Sequence, residues 1–545
     1  MSRLLLLFIV VLWMIPRDNL APALPVSGGG ALFLGAYAGL VLLVRGLNVW
    51  LARRVGERPL GKSLDRYNKF TEVARFFVPV WFAFGLFVLG WGRIVQDLVG
   101  GLDPWIVGVR TGSMGYWRLP GLFVGTLPPL LAWVGLWWAQ FPADRALKEQ
   151  SLLYQIDAGG PVHAPPTFRA YFALQFRVQL LLTLAPAFLI VMGRDAIVLL
   201  VNMFADRPMS PDGGDAVMLP LALGVFVFAP ELIRRVIPTE PLPPDYPLRR
   251  RLEVLCARTN IRCRDVLLWR TQSMLGNAMV MGLFPRIRYI FLSDLLLETM
   301  KDEEIEAVFA HEMGHVAHRH LWWYGLFFIG LMLLTAGPVL MLISYAVGNG
   351  RDAEMVTAQM AAASQMVLFG PLFGFLSRRF ERQADVFAAR TMQMTQAGKP
   401  VVISHVNPEA AEVGAAAVDG PAGLFVHKLA TAAIGPGEVG VLSYAPAAGG
   451  RSPGHSYVGE YGAAVVVSAL QRVAQVNNIP IHAHEWLHGS IGKRIRHLQE
   501  LSGHPDFTHR FDKTMRRLYW GLSAVLVMLA TWLVVQHVVY DVRVF

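Results

Sequence analysis

The stretch IEAVFAHEMGHVAHRHLWWYG, residues 305–325, decides how the chain is read. It passes from the nearly charge-free run Ile305 to Ala310 through a cluster of histidines into the apolar residues that open a long hydrophobic segment. Upstream, Thr299 with Asp302 matches a helix N-cap and its reciprocal acidic residue, and Glu303, Glu304 and Glu306 put negative charge at the positive end of the helix dipole. The pattern predicts a helix from about Met300 through His320. On it His311 and His315 stand four residues apart, one turn along the same face, where both imidazoles reach a single ion. Glu312 lies beside that ion without binding it. Zinc lowers the pKa of water, and a neighbouring carboxylate takes the proton and later returns it to a leaving amine. The bland alternative, a pair of surface histidines, has to account for the apolar approach to them, which suits a buried helix. His318 and His320 are further candidate ligands, but their place at the start of the next apolar run puts them at a membrane interface.

A catalytic zinc needs a third protein ligand. After two apolar runs, Ser377-Arg378-Arg379-Phe380-Glu381-Arg382-Gln383-Ala384-Asp385 continues as a helix with Glu381 and Asp385 on one face. That spacing suits one carboxylate on the metal and another receiving the N–H of a metal-bound imidazole. Spacing alone equally allows Glu381 to be part of a solvated cluster with its arginines.

Outward from these segments the chain is apolar. Of its 545 residues 54% are hydrophobic and 16% charged, and the mean hydropathy is +0.43, outside the range of soluble globular chains. Apolar runs at 29–48, 75–92, 119–139, 174–204, 217–236, 322–346, 359–377 and 519–539 are read as membrane spans. The shorter Leu4–Ile15 segment, between Arg3 and Arg17, is read as an anchor rather than a signal peptide, giving nine spans. Arg177, Arg194 and Asp195 inside 174–204 imply one long tilted helix or a broken pair, with the charges facing a partner or snorkelling to the interface. The formal charge of +10 reflects the positive-inside bias rather than nucleic-acid binding. Arg53, Arg54, Arg58, Lys62, Arg66, Lys69 and Arg75 mark a cytoplasmic loop. Crossing once per run then places 234–301 and 378–390 on the cytoplasmic face, and the poorly basic 93–118, 205–216 and 347–358 outside. Cys256 and Cys263 offer neither a disulfide framework nor a zinc spacing and are read as reduced cytoplasmic thiols.

Five regions are expected: an N-terminal transmembrane region of about six spans at 1–236; the first half of a soluble domain at 237–321, entered through the Pro-rich 238–247; a transmembrane hairpin at 322–377; the second half of that domain at 378–515; and a C-terminal anchor at 516–545. The Ala/Gly-rich 398–454 reads as an embellishment or mobile loop.

HEMGH at 311–315, a two-span hairpin and FERQAD at 380–385 together resemble the integral-membrane zinc metalloproteases that include CAAX prenyl protease 1 and the HtpX-type proteases. The resemblance implies a mainly α, polytopic transmembrane protein with a cytoplasmic α+β zincin-like (gluzincin) protease domain assembled from two insertions. It implies one Zn2+ per chain on His311, His315 and Glu381, with Asp385 supporting the site. Asn277 and Ala278 match the family's Asn-Ala strand, which holds an extended substrate by β-augmentation. Leu487 to Ile495 looks like the family's SHPP…ER segment, which would give His488 the role of stabilising developing negative charge and Arg494 that of orienting it or pairing with a carboxylate. Gly489-Ser490 replaces the prolines of that segment, and His482 and His484 are nearby competitors for His488. The expected function is endoproteolysis of membrane or membrane-associated proteins, with a peptide or protein substrate, the lipid bilayer and no nucleic acid as partners. Alternatives are a processing protease for lipidated peptides, a catalytically silent zinc-binding scaffold or sensor, and, least favoured, a metal transporter.

Overall fold

The computed structural model describes residues 2–14, 26–57, 60–100, 119–157, 165–204, 216–348, 351–395, 401–402, 441–442, 457–477 and 479–540. Helices dominate. The N-terminal half holds α1 (Ser2–Met14), α2 (Val26–Arg53), α3 (Leu60–Phe87), α4 (Trp91–Gly100), α5 (Leu119–Asp157), α6 (Phe168–Phe204) and α7 (Met218–Val236). They pack around a core that includes Trp13, Phe33, Phe82, Trp133 and Trp137.

Six helices among the described residues are long and apolar enough to cross a membrane: Gly28–Arg53, Leu60–Phe87, Leu119–Gln150, Phe168–Phe204, His320–Val347 and Pro505–Gln536. The other three expected spans are helical too, in α1, in α7 and in the first part of a 45-residue helix that also carries Glu381. Hydropathy marked only the apolar part of each helix. Thus α3 starts at Leu60, so the cations read as a loop from Lys62 to Arg75 lie on its first turns. The 174–204 run is one helix, with a π-turn at Phe176–Leu181. Its buried Arg194 and Asp195 pair at 2.9 Å, and Asp195 Oδ2 accepts the Leu119 N–H at 2.8 Å, so these charges face partners rather than the interface.

The second half builds a small mixed sheet among helices. Its strands are β1 (Thr239–Pro241), β2 (Asp265–Trp269), β3 (Ala278–Met281) and β4 (Tyr289–Ser293), in the order β1-β2-β4-β3. β4 is buried throughout and runs parallel to β2, which explains its unbroken apolar sequence. β3 pairs antiparallel with β4 and forms an edge. The helices are α8 (Pro247–Thr259), α9 (Asp294–Thr299), α10 (Asp302–Ala317), α11 (His320–Val347), α12 (Arg351–Thr395), α13 (Glu460–Val476), α14 (Ile491–Leu501) and α15 (Pro505–Tyr540). Phe309, Met313, Phe380, Ala389, Val466 and Leu498 knit α10, α12, α13 and α14 into one core.

The histidine helix differs from its expected form at both ends. Lys301 is its N-cap, the Lys301 N–H donating to the Glu304 carboxylate, while the Thr299 hydroxyl closes α9 by donating to the Leu295 carbonyl. The helix stops at Ala317 because Arg319 takes a left-handed conformation (φ 55°) before α11 begins at His320. Cys256 and Cys263 are free thiols whose sulfurs lie 3.9 Å apart. The 398–454 stretch lies outside the described residues apart from a two-residue ladder, Val401–Val402 with Val441–Leu442.

Candidate metal centre

Helices α10 and α12 cross at Gly314. A Cβ there would stand 2.9 Å from the Ala384 Cα, so glycine lets the backbones approach closely enough for Glu381 to reach the histidines. His311 Nε2 and His315 Nε2 are 3.3 Å apart. Glu381 Oε2 is 3.5 Å from the first and Oε1 3.7 Å from the second. These separations exceed those of good hydrogen bonds, about 2.7–3.2 Å. They match the edges, about 3.4 Å, of a tetrahedron of ligands about 2.1 Å from a zinc ion. Two imidazoles and one carboxylate also form the donor set of a catalytic zinc. His311, His315 and Glu381 therefore fit a metal, and they are the one such group among the described residues.

The surroundings fix each ligand. His311 Nδ1 donates to Asp385 Oδ1 at 2.9 Å. Asp385, 1% exposed, is forked by Arg494, Nε to Oδ2 at 2.8 Å and a terminal nitrogen to Oδ1 at 2.6 Å. The other Arg494 terminal nitrogen lies 3.3 Å from Glu381. Burial opposes charge on both carboxylates. The Arg494 charge and the hydrogen bonds from Arg494 and His311 nonetheless bring Asp385 down to about 2, and His488, His311 and Arg494 hold Glu381 well below the usual carboxylate range. Burial also acts against a charged His311, yet hydrogen bonds to Asp385 and Glu381 outweigh it and hold His311 up at about 9. The negative charge that favours a proton there favours a dication more. Burial drives His315 down to about 4, leaving a neutral ring.

Glu312 lines the same cavity as the three candidate ligands and is bound to the edge strand. Its Oε2 accepts the Val280 N–H at 2.9 Å, and burial pushes it up to about 7. The Ser293 N–H donates to the Asn277 carbonyl, so Asn277, Met279 and Met281 pair inward while the backbones of Ala278 and Val280 face the open edge. The Asn477 side chain grips the start of this strand, accepting from Gly276 N at 3.0 Å and donating to Gly276 O.

His488 enters from the turn before α14. Gly489 takes a positive φ of 73°, which a proline could not adopt, and Ser490 caps α14, its Oγ accepting the Lys493 N–H at 3.2 Å. His488 Nδ1 lies 2.9 Å from Glu381 Oε1, and its side chain is 52% exposed. His482 and His484 are not among the residues lining the cavity that holds the site. That cavity, about 1340 Å³, extends from Asp144 and Tyr171 in the N-terminal helices past Asn277, Glu312 and His488. His318 and His320 do not join the cluster. His320 is buried behind it, its Nδ1 2.9 Å from His315 Nδ1. Asn477 and Gln383 had no sequence signal beyond residue type, whereas His320, read from the sequence as a residue of the membrane interface, is instead buried beside His315.

Residues 245–515 match the model for peptidase family M48. Over 179 residues the chain is 26% identical to a protein described as Protease HtpX homolog from Aeropyrum pernix, an alignment that takes in 31% of this chain and 54% of that protein. The chain thus spans about half the length of that relative. The crystal structure of S. mikatae Ste24p aligns at 15% identity with a TM-score of 0.40, over 68% of this chain and 90% of that one.

Proposed function

Because the chain is a membrane protein carrying a peptidase family M48 domain, we propose that it is a zinc metalloendopeptidase. Its substrates are peptide bonds of membrane or membrane-associated proteins. The observation that carries this reading is the convergence of His311, His315 and Glu381 from two helices, with Glu312 held between them and an open strand edge.

His311, His315 and Glu381 hold one Zn2+, which when bound polarises the scissile carbonyl and acidifies water. Asp385 fixes the tautomer of His311. Glu312, aimed by the Val280 N–H, accepts the proton of the attacking water and delivers it to the leaving amine. The Ala278 backbone and the Val280 carbonyl, which face the open edge, take an extended peptide lying along β3, with Asn277 lining the cavity at the start of that strand. His488, whose protonated form the Glu381 charge favours, donates one N–H to Glu381 through Nδ1 and as imidazolium keeps a second on Nε2 for the substrate oxygen as charge develops, while Arg494 keeps the paired carboxylates ionised.

We also assign the protease domain to 237–321 together with 378–515, on the cytoplasmic face. The cation-rich start of α3 and the basic segments of both insertions support that side. Glu312→Gln is expected to retain zinc and lose activity by about 10²–10⁴-fold, the range of a general base. His311→Ala is expected to lose both zinc and activity. Parental turnover in either variant contradicts the assignment.

A further inference from the structure

His320 is 1% exposed, sits against the metal centre and has no part in the chemistry above. We propose that His320 is a positioning residue that sets the tautomer and rotation of His315 through a relay with Gln383, Tyr519 and His318. The proposal rests on the reading of His315 as a metal ligand.

His315 turns Nε2 toward His311 and Glu381, leaving Nδ1 2.9 Å from His320 Nδ1. Between two neutral ring nitrogens at that distance, one carries the hydrogen and the other accepts it. His320 Nε2 lies 3.0 Å from a Gln383 oxygen that also accepts the Tyr519 hydroxyl. The Gln383 amide nitrogen donates to His318 Nδ1 at 3.2 Å. With the Gln383 oxygen facing His320, the His320 hydrogen must be on Nε2, so its Nδ1 is bare and accepts from His315. The hydrogen of His315 is thereby held on Nδ1, and its Nε2 is free for a cation. The opposite assignment sets a bare His320 Nε2 against a carbonyl oxygen and moves the His315 hydrogen onto the nitrogen that must coordinate.

Packing holds the relay in place. The His320 ring stacks on Phe380 with centroids 4.2 Å apart and planes within 3°, and Phe380 immediately precedes Glu381 in the sequence. The left-handed turn at Arg319 brings residue 320 back against residue 315 instead of letting the helix carry it onward. The two imidazole ligands are thus held differently, His311 by an anionic carboxylate and His315 by a neutral ring.

The test is zinc affinity of the full-length protein in detergent, measured by competition with a chromogenic chelator, with thermal unfolding of the metal-free samples as the check on folding. His320→Phe keeps the stack on Phe380 and removes the acceptor. It is expected to weaken zinc binding by about 10–100-fold, and His320→Asn, which restores an acceptor, is expected to regain part of the loss. Parental affinity in His320→Phe overturns the relay. If His320→Phe does not fold, Gln383→Met, which leaves His320 without its orienting partner, must weaken binding, and parental affinity there overturns the relay equally. A parent chain that binds no zinc defeats the metal-site reading itself, whereas a parent that binds it no better than His320→Phe defeats the relay alone.

Discussion

Arg494 carries the charge balance of the site, with a fork on Asp385 and a contact to Glu381, both among the most buried carboxylates of the described residues. Arg494→Met leaves those charges uncompensated and is expected to cost about 3–5 kcal/mol of stability, read as a lowered Tm in metal-free protein. Arg494→Lys should recover little, because an ammonium cannot reproduce the fork. The closeness of His311 and His315 was legible in the sequence, since a helix converts a spacing of four into a shared face. Glu381 and Asp385 shared a face in the same way, but only the structure shows that face turned toward the histidines. Asn477 was not legible, because it meets Gly276 only through folding across some two hundred residues.

At the scale of elements, the crossing of α10 and α12 decides whether the ligands meet. Gly314→Ala improves helix propensity by up to about 1 kcal/mol, but its Cβ would stand 2.9 Å from the backbone of Ala384. The clash, about 1–3 kcal/mol for overpacking, is expected to win, lowering Tm and weakening zinc binding together. A variant with raised Tm and parental zinc affinity contradicts this view of the crossing. The sequence predicted the helix but not its limits. The acidic run at 302–306 starts from Lys301 rather than Thr299, and Arg319, which has no helix-breaking character of its own, ends it. The second hairpin span, by contrast, continues without a turn into the Glu381 helix, as the sequence implied. They form one 45-residue helix, so the ligand is borne on a helix that runs through the apolar segment.

For the whole molecule, composition and apolar runs were enough to predict a polytopic helical protein. They could not show which charged flanks continue as helix, because hydropathy is blind to helical turns outside the apolar layer, as at Lys62–Arg75. Sidedness is open to a labelling test. In a Cys256→Ser, Cys263→Ser background, Arg66→Cys and Arg286→Cys, both at exposed positions, are expected to react with an impermeant maleimide only after the membrane is opened from the cytoplasmic side. Labelling of intact cells at either position contradicts the assigned face. Stability should also respond to acid. Burial holds His318 and His497 down at about 4 against an ordinary value of 6.5. The unfolded chain therefore takes up protons first, and the stabilisation present above pH 6.5 is lost as pH falls toward 4. His497→Phe should flatten that fall in Tm relative to the parent, and an unchanged slope would rule out its contribution.

The most direct measurement is X-ray absorption at the zinc edge of the loaded protein, parent beside Glu381→Ala. The expected parent shell holds two imidazole nitrogens at about 2.0–2.1 Å and a carboxylate oxygen at about 2.0–2.2 Å, the oxygen being lost in Glu381→Ala while both imidazoles remain. An identical shell in the two proteins, or one built from a single imidazole, would contradict the meeting of α10 and α12 around one ion.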